Sequence, residues 1–164
     1  MTLIASSRNT EDLSMTLVAE LNAGPERVWD VWEDPRKLER WWGPEPYPAT
    51  FTRYEFEAGG QCRYFMTGPD DFLHHGWWRI DVVDAPRRIE FVQGLSAGDG
   101  EPLLDLGSAG GVVTFEPIAG GTRMTVRVQF ADAEQMERLA IGMEEGMSIA
   151  IGQIEALLSP VHAT

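Results

Sequence analysis

The sequence predicts an α+β fold in which a curved antiparallel sheet of about seven strands wraps around a long C-terminal helix. Three patterns lead to this expectation: helical apolar spacing near the C-terminus, two-residue alternation through the middle of the chain, and turn residues between the alternating segments. The chain has 164 residues, which suits a single domain with a real core.

The segment from Asp132 to Leu158 predicts one amphipathic helix. Its apolar residues recur at steps of three and four: Met136, Leu139, Ala140, Met143, Met147, Ala150, Ile151, Ile154 and Leu158. Asp132 is placed to cap the first turn. Ser159-Pro160 is placed to end the helix, because proline cannot continue the hydrogen-bond ladder.

Glycines and methionines in this helix leave two interpretations open. Gly142, Gly146 and Gly152 each cost roughly 1 kcal/mol relative to alanine, which predicts a close approach of another element or a bend. The methionines either pack in an ordinary core or form a deformable wall for a ligand.

The N-terminal third predicts a tail, a strand and two short helices. Residues 1–12 are polar and aperiodic, and we expect them to form a flexible tail before a single domain at 13–160. Leu13 to Leu21 alternates as a half-buried strand does. Pro25 and Pro35 are each placed to open a short helix.

From Ala49 to Phe130 the alternation predicts six strands, each with one apolar face. The apolar residues that this alternation places on that face include Tyr54, Phe56, Cys62, Tyr64, Met66, Trp78, Ile80, Val82, Ile89, Phe91, Val113, Phe115, Met124, Val126, Val128 and Phe130. Residues 94–111 form the one long connection, which is typical of a functional flap or a mobile loop. A curled sheet contacts a straight helix along part of its surface, so we expect a pocket between the two.

Composition excludes several classes of partner and site. A formal net charge of −13 argues against nucleic acid or an anionic membrane, since both bind a concentrated basic face. The single cysteine, Cys62, excludes an internal disulfide framework and a multi-cysteine metal site, and we expect a buried, inert thiol. We predict no metal and no cofactor. Without a signal peptide or a long apolar run, the expected location is the cytoplasm.

Short motifs along the chain carry a resemblance to a known family. In chain order they are Gly24-Pro25-Glu26-Arg27-Val28-Trp29, Trp41-Trp42-Gly43-Pro44, Gly59-Gly60, Arg63-Tyr64, Met66, Gly68-Pro69-Asp70, His75-Gly76, Pro86-Arg87-Arg88-Ile89, Gly120-Gly121-Thr122 and Gly142-Met143-Glu144-Glu145-Gly146. Together they resemble the START-like (SRPBCC, birch-pollen-allergen-like) superfamily. Within it, they are similar to bacterial proteins named after the activator of the ATPase of the 90-kDa heat-shock chaperone.

The resemblance implies a helix-grip fold with an apolar ligand cavity. Some members of the superfamily are polyketide cyclases, but no shared catalytic residue is implied. Relatives usually carry a tryptophan directly after the glycine of the helix motif, whereas this chain has Met147. The resemblance therefore implies a different cavity wall at that position.

We expect the cavity to lie between the apolar face of the sheet and the long helix. The predicted lining is Tyr54, Phe56, Tyr64, Met66, Trp78, Ile80, Phe91, Phe115, Met124 and Val126 from the sheet, with Met136, Ala140, Met143 and Met147 from the helix. The alternative is that these side chains form a plain core. His75 is a weak catalytic candidate, because it faces the pocket only if the strand bulges beside Gly76.

Three functions stay open at this point. The first is binding of an apolar or aromatic small molecule. The second is a cyclase-type or other lyase or hydrolase that acts on an aromatic or polyketide-like substrate, with His75 or a tyrosine as acid or base. The third is a co-chaperone-like stress protein, for which a chaperone partner is less expected because the family name derives from multidomain relatives. Trp41, Trp42 and Pro44 predict either a lid or a contact in a homodimer.

Overall fold

The computed structural model describes residues 3–103, 105 and 107–158, and for Leu3 the backbone alone. The strands in the described part are β1 (Leu3–Asn9), β2 (Ser14–Leu21), β3 (Ala49–Tyr54), β4 (Gln61–Thr67), β5 (Leu73–Asp84), β6 (Arg88–Leu95), β7 (Ser108–Ile118) and β8 (Gly121–Gln129). The helices are α1 (Pro25–Glu33), α2 (Pro35–Leu38), α3 (Ala133–Gly152) and α4 (Glu155–Leu158). The α+β fold with a long C-terminal helix is confirmed.

The strands form one antiparallel sheet in the order β1-β2-β8-β7-β6-β5-β4-β3. The predicted alternation of buried and less buried side chains is observed along β2 and β8. The buried face carries the core, and the helices lie against it. A sheet with one apolar face must cover that face, which is why the chain returns across it twice.

The N-terminal segment differs from its prediction. The sequence predicts a flexible tail at residues 1–12, yet Leu3–Asn9 pairs with residues 14–20 of β2 as an edge strand. The turn after it is fixed by the Asn9 side chain, whose Oδ1 accepts hydrogen bonds from the backbone of Glu11 and Asp12. Residues 5–10 are exposed, so backbone pairing rather than apolar burial holds this strand, and no apolar alternation marks it in the sequence.

A bulge in β5 shifts its inward face by one residue. The pairing with β6 is irregular between Ile80 and Val82. Ile80 is fully buried, Asp81 is exposed, and beyond the bulge Val83 packs against the core where alternation places Val82. A bulge adds one residue to one strand, so a strict two-residue period fails past it.

The two short helices between the first predicted strand and the rest are confirmed. Each begins at a proline, and the Asp34 side chain caps α2 by accepting a hydrogen bond from the Arg36 backbone. Helix α1 is anchored to the far end of the chain, where the Arg27 guanidinium donates to the Leu158 carbonyl at 2.6 Å.

The long helix is shorter than predicted. Asp132 caps its first turn by accepting from Gln135 N at 2.8 Å, as expected. The helix then ends at Gly152, and a turn at Gln153 and Ile154 separates it from α4. The predicted stop at Ser159-Pro160 lies outside the described residues. None of the described helices is both long and apolar enough to cross a bilayer.

The connection predicted at 94–111 is shorter, because both flanking strands extend into it. Gly94 and Leu95 belong to β6, and Ser108 to Gly111 belong to β7. Glycine interrupts the alternation there for a packing reason: a Cβ on Gly111 would lie 2.7 Å from the Phe91 ring. The remaining connection closes on itself through an isolated bridge between Ser96 and Pro102.

The helix glycines do not mark a close approach. A Cβ on Gly142 would meet nothing within 4 Å, and those on Gly146 and Gly152 would meet only ordinary contacts at 3.7 and 4.0 Å. The tight glycine positions lie outside the long helix, and Gly121 at the start of β8 is one of the tightest. A Cβ on Gly121 would lie 1.9 Å from the Leu21 carbonyl oxygen.

We therefore expect opposite effects from two glycine-to-alanine changes. Gly142→Ala should raise the free energy of unfolding by about 0.5–1 kcal/mol, because alanine loses less backbone freedom than glycine when the helix forms. Gly121→Ala should lower it by roughly 2–3 kcal/mol, because the methyl group collides with the backbone. Urea unfolding followed by circular dichroism measures both. Equal effects of the two changes on the free energy of unfolding would contradict the conclusion that Gly142 has free space around it and Gly121 has none.

Candidate functional site

A cavity of about 190 Å³ lies between the sheet, the segment after α2, and the second half of α3. Its wall contains apolar and aromatic side chains with two polar exceptions, Tyr64 and Gln93. The lining residues are Trp32, Trp41, Trp42, Pro44, Tyr64, Met66, Gln93, Val126, Met143, Gly146, Met147, Ala150 and Ile151. We call this space the inner cavity.

A second cavity of about 550 Å³ adjoins the first. It shares Tyr64, Gln93 and Met143 with the inner cavity. The other lining residues come from the facing ends of β6 and β7, the connection between them and the first turns of α3: Gly94, Leu95, Asp105, Gly107, Ser108, Ala109, Gln135, Arg138 and Leu139. We call this space the outer cavity. The two cavities are therefore neighbours, separated by these three shared side chains.

The structure brings only part of the predicted lining to the cavity. Tyr64, Met66, Val126, Met143 and Met147 line it. Other predicted lining residues are packed in closed core: Trp78, Ile80, Phe91, Phe115, Met124, Met136 and Ala140. Tyr54 and Phe56 stack on each other at 5.6 Å and are half-buried, and neither lines the inner or the outer cavity. In this structure these side chains pack in or against the core.

Aromatic packing explains why so much of the predicted cavity is filled. The Trp78 ring on β5 lies 4.7 Å from the Trp42 ring and 4.8 Å from the Phe91 ring. Trp32 from α1 lies 4.8 Å from Trp41. These rings fill the sheet's inner face under α1 and α2, and the inner cavity lies on the side toward α3.

Several lining residues were missed by the sequence prediction. They are Trp32, Trp41, Trp42, Pro44, Gln93, Gly146, Ala150 and Ile151. For Gln93 a signal was present, because it has the same inward parity on its strand as Ile89 and Phe91. For Trp41, Trp42 and Pro44 the sequence suggested a lid or a dimer contact, and the structure places all three in the wall of the inner cavity.

One side chain holds that wall against the end of α3. Gln153 Nε2 donates to the carbonyl oxygens of Trp41 and Gly43, each at 3.0 Å, and its Oε1 accepts from Glu45 N at 3.1 Å. The turn that ends the long helix early therefore fixes the segment that carries Trp41, Trp42 and Pro44. The Trp41 indole donates to the Val31 carbonyl and ties the same segment to α1.

The polar part of the inner cavity is built around the Tyr64 hydroxyl. Sheet register places Tyr64 opposite Gly76 and places Gln93 opposite Trp78. The tyrosine ring lies over the glycine, where a Cβ would come within 2.4 Å of the hydroxyl oxygen. Burial raises the pKa of Tyr64, and the indole N–H groups of Trp42 and Trp78 oppose that rise. The hydroxyl is therefore protonated at neutral pH.

The predicted catalytic histidine does not reach either cavity. His75 pairs with Phe65 in the sheet register, and the two rings contact each other at 5.8 Å. The β5 bulge lies near Asp81, not beside Gly76, so the parity of His75 is unchanged and it sits on the face opposite Trp78. Gly98 from the connection after β6 lies near it, since a Cβ on Gly98 would be 3.9 Å from the imidazole Nε2.

Two further chemistry predictions concern metal sites and the thiol. Among the described residues, no three His, Cys, Asp or Glu side chains come together as a metal site would require. Cys62 is fully buried, and burial raises the pKa of its thiol to about 12. A thiol with that pKa carries almost no thiolate at neutral pH, which supports the expectation of an inert cysteine.

A curved antiparallel sheet closed by a C-terminal helix, with a cavity between the layers, defines the helix-grip class of the SRPBCC type. The sequence matches the family described as Activator of Hsp90 ATPase homolog 1-like protein over residues 22–159. The chain belongs to that family.

Solved structures with similar chains agree with this assignment. A protein from Arthrobacter aurescens is 46% identical, with a TM-score of 0.89 over 94% of this chain and 90% of that one. Protein Ms6760 from Mycobacterium smegmatis is 39% identical, with a TM-score of 0.88 over 96% and 98% of the two chains. A Silicibacter pomeroyi protein at 19% identity and a TM-score of 0.68, covering 96% of this chain and 97% of its own, shares the fold. No curated protein matches the sequence.

The buried thiol predicts a loss of stability at alkaline pH. Its pKa is about 12 in the fold against 9.0 as the ordinary value, so the folded state retains a proton that the unfolded state releases. The stabilisation is complete below about pH 9 and is lost as the pH rises toward 12, at up to about 1.4 kcal/mol per pH unit. Urea midpoints measured at several values above pH 9 should fall, and less steeply in Cys62→Ala. Identical pH slopes in the two proteins would contradict this role.

Proposed function

We propose that this protein binds a small apolar or aromatic molecule in the inner cavity, between the sheet and α3. The observation that carries the proposal is the wall itself, in which indole rings and methionine side chains surround open space. Among the described residues, no charged side chain lines the inner cavity. Such a wall favours a ligand that gains from leaving water.

The size and composition of the two cavities support this proposal. Cavities that hold small molecules are typically about 300–1,000 Å³ and mostly apolar, with a few polar groups that set orientation. The inner cavity of about 190 Å³ suits a ring system, and the outer cavity of about 550 Å³ leaves room for a longer substituent. Methionines at 143 and 147 adapt their shape at little cost, because the side chain is unbranched.

The first alternative function is catalysis, and it would depend on a residue other than the predicted His75. His75 lies on the outer face, so an acid in the inner cavity would have to be Tyr64, which burial keeps protonated. A co-chaperone role, a chaperone partner and a homodimer remain predictions that rest on the family resemblance and on the exposed position expected for the tryptophan motif. Binding is the function that the cavity wall supports directly.

The first test is to fill the inner cavity from a glycine. Gly146 lines it, and a Cβ there would meet only Pro44 Cγ at 3.7 Å, so Gly146→Leu is tolerated by the backbone and occupies ligand space. We expect wild-type protein to bind uncharged naphthalene derivatives in calorimetric titration. Gly146→Leu should weaken that binding at least about tenfold, since the leucine takes volume from the ligand.

The matched control is Gly142→Leu, one helical turn earlier. Gly142 is exposed and has nothing within 4 Å of its Cβ position, so this change adds the same side chain outside the cavity. Its binding should equal that of wild type. Native mass spectrometry of protein purified from its own host should also show a retained molecule that Gly146→Leu lacks. Failure of the wild type to bind any of the probes and to retain any molecule would refute the proposal.

A further inference from the structure

Hydrogen-bond donors without partners gather at one end of the inner cavity. Among the described residues, Trp42 Nε1, Trp78 Nε1 and Gln93 Nε2 are buried near this cavity without a hydrogen-bond partner, and Trp29 Nε1, Trp77 Nε1 and Ser96 Oγ are buried without one elsewhere. The indoles of Trp32 and Trp41, which line the same cavity, are both satisfied: they donate to Met124 Sδ and to the Val31 carbonyl. Within the described cavity wall, the lack of partners is therefore confined to the part around Tyr64.

The chemistry of these groups is one-sided. An indole nitrogen donates and cannot accept. Trp42 is 7% exposed and faces the inner cavity, and Trp78 is 1% exposed behind it. Both indole N–H groups act on the Tyr64 hydroxyl and lower its pKa against the effect of burial, although neither completes a hydrogen bond to it. With its oxygen facing two donors, Tyr64 has its own proton left to donate.

Leaving donors buried without acceptors is unfavourable unless something else supplies the acceptor. Gln93 stands beside Trp78 in the sheet register and faces both cavities, so its amide adds another group at the same point. The two indole N–H groups act on the Tyr64 oxygen and are themselves buried, so the O–H of Tyr64, which lines the cavity, is the donor that a bound molecule can reach.

We propose that the ligand carries a carbonyl oxygen and places it against the Tyr64 hydroxyl, with the apolar part of the ligand in the inner cavity. This inference rests on the proposed binding function and specifies its ligand class: an apolar or aromatic ketone, or a molecule with a comparable carbonyl group. A carbonyl oxygen accepts without donating, which matches a site that offers donors.

A neutral acceptor fits this position better than a carboxylate. The described wall of the inner cavity has no charged residue, and burying an ion without a partner is costly. The cation in the wall of the outer cavity, Arg138, has a side chain 54% exposed and lies 3.9 Å from Glu134. Asp105 lines the same space, so the outer cavity does not present an excess of positive charge.

The test compares two probes of the same shape. 2-Acetylnaphthalene carries the carbonyl, and 2-ethylnaphthalene replaces it with a methylene group. Calorimetric titration of wild-type protein should give about tenfold tighter binding of the ketone, which is the size of effect expected of one hydrogen bond to a neutral acceptor. In Tyr64→Phe the two probes should bind equally, with the ethyl compound bound as in wild type.

A spectroscopic measurement separates a direct contact from a structural role. Infrared spectra of 2-acetylnaphthalene labelled with carbon-13 at the carbonyl should show a lower stretching frequency in wild type than in Tyr64→Phe, because a hydrogen bond weakens the carbonyl bond. Tyr47→Phe is the matched control, since Tyr47 is 37% exposed and lines neither cavity. It should leave both the affinity ratio and the frequency at their wild-type values.

The outcomes distinguish this inference from the binding function. If both probes bind wild type with equal affinity and Tyr64→Phe changes neither, the cavity binds apolar molecules and the carbonyl inference is wrong. If the ketone is favoured equally in wild type and Tyr64→Phe, the assignment to Tyr64 is wrong. If neither probe binds wild type, the carbonyl inference fails, and the wider screen with native mass spectrometry decides the binding function itself.

Discussion

The packing of Trp78 against the rings brought by the segment after α2 determines how the rest of this molecule is arranged. Trp78 projects from the middle of the sheet and contacts Trp42 at 4.7 Å and Phe51 at 5.4 Å. Aromatic rings bury large areas and prefer edge-to-face geometry, so a cluster of them is rigid as well as stabilising. The cluster fills one end of the concave sheet and leaves the other end to α3. The cavity is the space between a rigid aromatic wall and a helix face of methionine, glycine and alanine.

Two constraints then fix where the cavity ends. Gln153 holds the segment with Trp41 and Trp42 against the end of α3, so the wall cannot swing away without losing three hydrogen bonds. The register of β4, β5 and β6 sets Tyr64, Trp78 and Gln93 side by side on the inner face. The apolar surface of the cavity and its hydrogen-bonding groups therefore come from different secondary-structure elements. Helix α3 supplies the adaptable surface, and the sheet supplies the fixed donors.

The sequence predicts the architecture well because alternation and helical spacing report burial directly. It predicts the cavity less well, because alternation says which side chains face inward and not which of them meet another ring there. Trp78 and Phe91 face inward as expected and pack on each other, and Trp42, from a segment far away in the chain, covers Trp78. The sequence does not predict the edge strand β1, because a strand held by backbone pairing needs no pattern of apolar residues. It does not predict the inward shift at Val83 either, because the bulge in β5 adds one residue without any mark in the composition.

Gly76 has an influence that its position on the far side of the tyrosine ring does not suggest. It lines neither cavity, yet the absence of a side chain at this strand position is what allows the Tyr64 phenol to lie flat along the sheet. A methyl group on Gly76 would collide with the Tyr64 ring, so the ring would have to move away from the strand. Gly76 thus influences the volume of the inner cavity although it does not line it. A protein of this fold with a larger residue at this position would have a smaller cavity and would bind a smaller ligand.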